Sequence, residues 1–139
     1  MPDFLITSFS PLATSFSPVT SLSNSETWVQ VGSDIEGESP SDNSGGATSL
    51  SDDGTIVAIS APKNDGNGID SGHVRVFKNI NNNWIQIGDD IDGEAAGDKS
   101  GFPISFSSNG KFIASPARYN DGNGIDSGHV RVFKLVNQL

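Results

Sequence analysis

The chain of 139 residues contains no cysteine, which excludes disulfide bonds, thiolate catalysis and thiolate metal sites. It has 8 Lys and Arg against 17 Asp and Glu, and the resulting net charge of −9 disfavours binding to nucleic acid and to anionic membrane surfaces. No apolar run approaches the ~20 residues that span a bilayer, and the first residues lack the basic and apolar regions of a signal peptide. The acidic balance suits divalent cations, basic partners or simply a solvated surface.

Hydrophobic residues are also scarce, at 34% of the chain, and no stretch of useful length shows helical periodicity. Residues that favour turns are abundant instead: 16 Gly, together with many Ser, Asn and Asp. Turn signals recur every 8 to 12 residues or so between short apolar or alternating stretches. This pattern predicts an all-β fold of sequential antiparallel strands.

A long internal repeat organises most of the chain. Residues 64–78 recur letter for letter as residues 120–134, and the ungapped alignment extends outward to a unit of about 56 residues. The predicted organisation is a low-complexity leader at 1–27, expected to be disordered, then unit 1 at 28–83 and unit 2 at 84–139. One further hypothesis makes residues 7–10 the remnant of a strand, with a mobile tail as the alternative.

Each unit is predicted to contain four short strands. The predicted strands are 28–35, 47–51, 56–61 and 72–78 in unit 1, and 84–91, 104–107, 111–115 and 128–135 in unit 2. The nearly continuous apolar run at 56–61 predicts burial on both faces. We expect 84–91 to pair antiparallel with 72–78, which makes 45–91 the first complete sheet and leaves 101–139 without its outer strand.

The repeated pattern resembles a known family. Its elements W-x-Q-x-G, S-x-D-G, A-P, N-D-G-N-G and S-G-H-V-R-V-F resemble FG-GAP repeats of integrin α-chain propellers and, more closely, tandem-repeat surface proteins of marine microbes and algae. The resemblance covers residues 28–139 and implies two tandem four-stranded antiparallel β-propeller-type blades, a partial propeller. It also implies an extracellular or cell-surface address. Because the connections 52–54 and 108–110 are too short for the integrin-type calcium cage, integrin ligand binding does not carry over.

The repeated Asn/Asp/Gly loop is the first candidate site. It places side-chain oxygens on Asp65, Asn67 and Asp70, and the second copy places them on Asp121, Asn123 and Asp126. Calcium takes six to eight oxygen ligands, so such a loop predicts a calcium site completed by backbone carbonyls. The alternative is an Asx-rich turn in which Asn and Asp bind their own backbone.

Acidic loops form the second candidate, at residues 34–38 with Asp42 and at 90–94 with Asp98. They suit a cation, or a charged edge that prevents strand-to-strand aggregation, and we favour the edge. Paired carboxylates for glycoside hydrolysis are disfavoured, because no apolar pocket is indicated that would raise one pKa.

Single residues at fixed repeat positions suggest structural roles. His73 and His129 each open a predicted strand without an accompanying nucleophile motif, which favours a structural histidine that caps the Asp-rich loop. Trp28 and Trp84 are interpreted as packing residues between blades rather than as ligand-stacking aromatics. The arginines of the last predicted strand of each unit, Arg75 and Arg131, are expected to pair with acidic neighbours.

The functional prediction is a non-enzymatic repeat module for protein or carbohydrate binding or adhesion, with calcium as a candidate stabiliser. The alternatives are a truncated structural fragment of a longer repeat array and a hydrolase carried by a propeller. Two blades leave apolar faces uncovered, which predicts self-association, and three or four copies would close a ring of six or eight blades.

Overall fold

The structure is a computed structural model that describes residues 24–137, so the predictions for residues 1–23, including the strand remnant at 7–10, lie outside the described residues. The described part contains no helix, and therefore none that could cross a membrane. Its eight strands are β1 Thr48–Leu50, β2 Ile56–Ala61, β3 His73–Ile80, β4 Asn83–Gln86, β5 Ile91–Asp92, β6 Ser105–Phe106, β7 Phe112–Ala117 and β8 His129–Lys134. The prediction of an all-β fold is confirmed.

The strands form two antiparallel sheets. The first sheet has the order β1-β2-β3-β4, with β5 also paired to β3, and the second has the order β6-β7-β8. Although β5 and all of β4 except Asn83 belong to unit 2 in sequence, they complete the sheet of unit 1: Gln86 lies opposite Phe77, and Ile91 opposite Val74. The predicted pairing of 84–91 with 72–78 is therefore confirmed. As expected from this pairing, the second sheet has only three strands, β6, β7 and β8, among the described residues.

The prediction of one continuous strand at 84–91 was wrong in detail. The segment divides into β4 and β5, and Gly88 between them has a φ of 76°, in the left-handed region that glycine tolerates. The Ile87 amide still donates to the Val76 carbonyl at 2.8 Å. The break therefore inserts two extra residues opposite β3, since Gln86 pairs with Phe77 and Ile91 with Val74, while the attachment to β3 persists.

The prediction of a strand at 28–35 was wrong altogether. These residues form no strand, and Trp28 is fully exposed rather than packed between sheets. A strand needs a partner, and no strand precedes Trp28 within the described residues. The segment is held instead by contacts with β4 and with the turn before it: the Trp84 indole donates to the Val31 carbonyl at 2.8 Å, and the Gly32 amide to the Asn82 side chain at 3.0 Å.

Strand β2 is buried on both faces, as predicted from its apolar run. On one face, Val57 and Ile59 of β2 form a cluster with Phe77 of β3. Ile35 and Trp84 pack against this cluster. On the other face, Ala58 of β2 and Val74 of β3 form a cluster with Ile113 of the second sheet. Partly buried apolar residues pack against this cluster: Val76, Ile91, Ile104, Phe106 and Phe133. The core thus has two parts, one on the face of the first sheet beneath Ile35 and Trp84 and the other between the two sheets.

Candidate functional site

The predicted calcium loop of unit 1 is closed by its own hydrogen bonds. The Asp65 carboxylate accepts the Asp70 amide at 2.8 Å, and the Asn64 side-chain oxygen accepts the Gly66 amide at 2.8 Å. The Gly72 amide returns to the Asn64 carbonyl at 3.0 Å. These bonds form the Asx-type turn that was the alternative to calcium, with a carboxylate oxygen engaged by the backbone.

The second loop repeats this pattern. Asp121 accepts the Asp126 amide at 2.7 Å, and the Asn120 side chain accepts the Gly122 amide at 2.9 Å. The two loops differ at their third predicted ligand. The Asn67 side-chain amide donates to the Gly93 carbonyl of unit 2 at 2.8 Å. Within residues 24–137, the only hydrogen bond of this kind at Asn123 is made by its backbone amide, which donates to the Ser127 hydroxyl at 3.2 Å. In each loop the first aspartate accepts the backbone amide of the second, and Asn67 is tied to the next unit. Calcium binding at either loop stays a prediction.

A buried carboxylate anchors each loop, which sequence reasoning missed. The Asn64 amide donates to Asp42 at 2.8 Å, and the Asn120 amide donates to Asp98 at 2.9 Å. Both aspartates are buried, although they were assigned to exposed acidic loops. The available signal was an Asp 22 positions before the loop asparagine in both units. Two residues of the proposed acidic edge are thus structural.

The arginines pair with acidic segments as predicted. Arg75 donates to the Glu36 carbonyl at 2.6 Å, and its other terminal nitrogen lies 3.7 Å from the Glu38 carboxylate. Arg131 repeats this with the Asp92 carbonyl, at 2.5 Å, and with Glu94. Each arginine therefore fixes an acidic loop over its sheet.

Three side chains from both units meet beside Arg75. His73 opens β3, Glu38 comes from the acidic loop of unit 1, and Asp90 lies between β4 and β5. His73 Nδ1 lies 3.9 Å from Glu38 Oε2 and 3.7 Å from Asp90 Oδ2, and the three potential ligand atoms all lie within 4.8 Å of one another. The imidazole thus faces two carboxylates that lie far apart in sequence and that no motif links.

The cluster borders an open acidic cleft of about 510 Å³. Five carboxylates line the cleft, those of Glu38, Asp42, Asp65, Asp90 and Asp92. Such a concentration of negative charge raises the local concentration of cations and repels phosphate and carboxylate groups. The arrangement suits a metal ion or a basic side chain.

The corresponding position in unit 2 is incomplete within the described residues. His129 Nδ1 lies 3.6 Å from Glu94 Oε2, but the histidine side chain is 27% exposed, against 2% for His73. Asp34 is the repeat counterpart of Asp90: it accepts from Gln30 at 2.8 Å, as Asp90 accepts from Gln86 at 2.7 Å. Among residues 24–137, the three-residue cluster occurs once, at the junction of the units.

Comparisons with known proteins found that no family model, no curated protein and no solved structure matches this chain. The resemblance to FG-GAP-type repeats therefore stays a hypothesis.

Proposed function

We propose that this chain is a non-enzymatic repeat module of the β-propeller type that binds a protein or carbohydrate ligand on a surface built from several units. The observation that carries this proposal is the completion of the first sheet by β4 and β5 of unit 2. A sheet that depends on the next unit is typical of a repeat array, in which each unit is stabilised by its neighbours.

Backbone hydrogen bonds across the junction support this interpretation. The Gly93 amide donates to the Gly72 carbonyl at 2.7 Å, the Gly97 amide to Ile69 at 2.8 Å and the Ser100 amide to Ser71 at 2.9 Å. At Gly101 a Cβ atom would lie 2.7 Å from Val74 Cγ2, so glycine permits the close approach of the two sheets. The units are docked through specific main-chain contacts as well as through apolar burial.

The free ends of the pair are complementary. Val130 and Val132 on β8 are 62% and 68% exposed, whereas Val74, the counterpart of Val130, is fully buried beneath unit 2. Residues 28–35 of another copy have the sequence pattern to add to β8 as residues 84–91 add to β3. Assembly of three or four copies would thus close a ring of six or eight blades.

The acidic clefts support a binding role for such an assembly. Ring closure would repeat the junction, and with it the carboxylate-lined cleft, between successive units. A ring of negative clefts suits a basic protein surface, or a glycan held through a bound cation. A cell-surface or extracellular address, which the resemblance implies, would be consistent with adhesion.

Light scattering tests the assembly. We expect the parent protein to form a concentration-dependent oligomer of three or four copies, and Val132→Arg to remain a monomer because the charge would be buried at the new junction. Ile125→Arg is the matched control, since Ile125 is 89% exposed on a loop tip of the same unit. A parent monomer that unfolds cooperatively in calorimetry would contradict the proposal.

Ligand binding is tested on the assembled protein. Immobilised glycans and basic proteins are presented to the parent and to Val132→Arg, with binding followed by interferometry. The parent is expected to bind one of these classes, and the monomeric variant to bind it more weakly because avidity is lost. Absence of binding to both classes by an assembled parent would contradict the binding role alone.

A second candidate, a structural segment of a longer array, is favoured by the same exposed valines. In that case the parent stays a monomer, and fusion of a further repeat unit after Leu139 buries Val130 and Val132 within one chain. Protection of these residues in the fused chain, without assembly of the parent, distinguishes the array from the ring.

A further inference from the structure

We propose that Glu38, His73 and Asp90 form a binding site for a divalent transition-type cation, with Zn²⁺ as the ion that best fits the donor set. One imidazole nitrogen and two carboxylate oxygens are ligands that zinc accepts, with water completing the coordination. Calcium prefers oxygen alone, which separates this site from the predicted calcium loops. The site lies within one chain, so it does not depend on the proposed assembly.

The position of His73 leaves room for an ion. The residue is 1% exposed, and its Nδ1 is 3.7 Å and 3.9 Å from the two carboxylates, beyond hydrogen-bond distance. A cation between the imidazole and the carboxylates would bridge these gaps with bonds to all three side chains.

The spacing of the ligand atoms is close to that of a coordination sphere. Zinc bonds of ~2.0–2.1 Å place neighbouring tetrahedral ligand atoms roughly 3.3 Å apart. The observed distances are 3.7 Å and 3.9 Å, with all three atoms within 4.8 Å of one another. Small movements of the carboxylates, whose side chains are 41% and 30% exposed, would close the site on an ion while the buried histidine stays fixed.

Neighbouring residues orient both carboxylates. Gln86 donates to Asp90 Oδ1 at 2.7 Å, which leaves Oδ2 facing His73. Arg75 lies 3.7 Å from Glu38 Oε1, which leaves Oε2 facing the same imidazole. Outer contacts of this kind hold metal ligands in place. The positive charge of Arg75 is offset by the other carboxylates of the cleft.

Isothermal titration of the full chain with zinc chloride tests the site, and the repeat supplies matched controls. We expect the parent to bind one Zn²⁺, and Glu38→Gln and Asp90→Asn each to weaken that binding at least tenfold. Asp34→Asn and His129→Asn are the repeat counterparts that lack the complete cluster, and they should bind as the parent does. Because Glu38 is exposed, its variant should fold normally.

Imidazole NMR gives a readout that does not depend on a variant. The chain has 2 histidines, so zinc should shift the ring signals of His73 and leave those of His129 in place. The proposal is overturned if substoichiometric zinc shifts neither ring or shifts both alike, or if the four variants lose affinity equally. It is also overturned if calcium reproduces the His73 shift, since that would indicate a site built from oxygen ligands.

Discussion

The two units have nearly the same residues at corresponding positions, but they differ sharply in burial. Val74 is fully buried and Val130 is 62% exposed, although both come directly after the strand-opening histidine of an identical segment. The side chain of His73 is 2% exposed and that of His129 is 27% exposed. Since the local sequence is the same, the difference arises from the neighbour on the C-terminal side of each unit. Unit 1 has β4, β5 and the second sheet packed on it, and unit 2 has no such neighbour within the described residues.

Contacts inside a unit are insensitive to this difference. The loop carboxylate accepts its amide at 2.8 Å in unit 1 and at 2.7 Å in unit 2, and the buried Asn–Asp bonds are 2.8 Å and 2.9 Å. Each unit therefore determines its own loops, and the next unit determines how much of it is buried. This division is what the proposed repeat module predicts.

The largest expected effect comes from the buried valine. Val74→Asp should lower the free energy of unfolding by about 3–5 kcal/mol, because it places an unpaired carboxylate between the sheets. Val130→Asp, at the same repeat position, should change stability by less than about 0.5 kcal/mol. Chemical denaturation at a concentration where the protein is monomeric measures both. Equal losses would show that the two positions are not distinguished by burial.

Calcium is expected to act on both loops alike. If it binds the folded form, stability should rise by about 2.7 kcal/mol at a hundredfold excess over Kd. The combined change Asp65→Asn and Asp121→Asn should weaken this response and leave the melting temperature in chelator nearly unchanged, because asparagine still offers an acceptor oxygen. Thermal melts of both proteins in calcium and in chelator provide the measurement. A parent protein whose melting temperature does not respond to millimolar calcium would refute calcium binding. The loops would then serve only as Asx-type turns.

The buried Asn–Asp pairs test whether the internal contacts of unit 1 and of unit 2 contribute similarly to stability. Asp42→Ala and Asp98→Ala each leave a buried asparagine amide without its acceptor and should cost about 1–3 kcal/mol. Asp98→Ala should cost slightly more, because Asp98 also accepts the Ala95 amide at 3.2 Å. Asp89→Ala serves as the control on an exposed carboxylate. Urea denaturation checks this, and a loss confined to one unit would break the proposed independence of the local contacts.

The smallest expected effect concerns the turn residue Asp53, whose counterpart in unit 2 is the uncharged Asn109. The Thr55 amide, the Ser51 hydroxyl and the Thr55 hydroxyl bind the Asp53 carboxylate and hold its pKa below the ordinary value of 3.8. The lowered pKa of Asp53 stabilises the folded state at pH values above 3.8, and this stabilisation is lost as the pH falls through the lower pKa of the folded state. Asp53→Asn should thus be slightly less stable than the parent at neutral pH, and the difference should vanish in acid. Unfolding curves across this range test it, and a difference that grows in acid would contradict the stated sign.

Much of the fold could be predicted because it depends on local pattern. The run at 56–61 was recognised by its apolar residues and adjoining turn and proline, and the repeat itself predicted the pairing of 84–91 with β3. The strand at 28–35 was mispredicted because alternation indicates a potential strand, whereas a strand forms only with a partner. The junction cluster was missed for the same reason. Glu38, His73 and Asp90 belong to three separate segments, and only the docking of one unit on the next brings them together.

Hydrogen exchange on an extended chain tests the dependence of each unit on the next most directly. Because the repeat runs in register, a second copy of residues 84–92 added after Leu139 should pair with β8 as β4 and β5 pair with β3. We expect the β8 amides to exchange at least about tenfold more slowly in the extended protein, which corresponds to about 1.4 kcal/mol in the free energy of opening. The β3 amides should be unaffected. Unchanged exchange in β8 would contradict the account that each sheet is completed by the next unit along the chain.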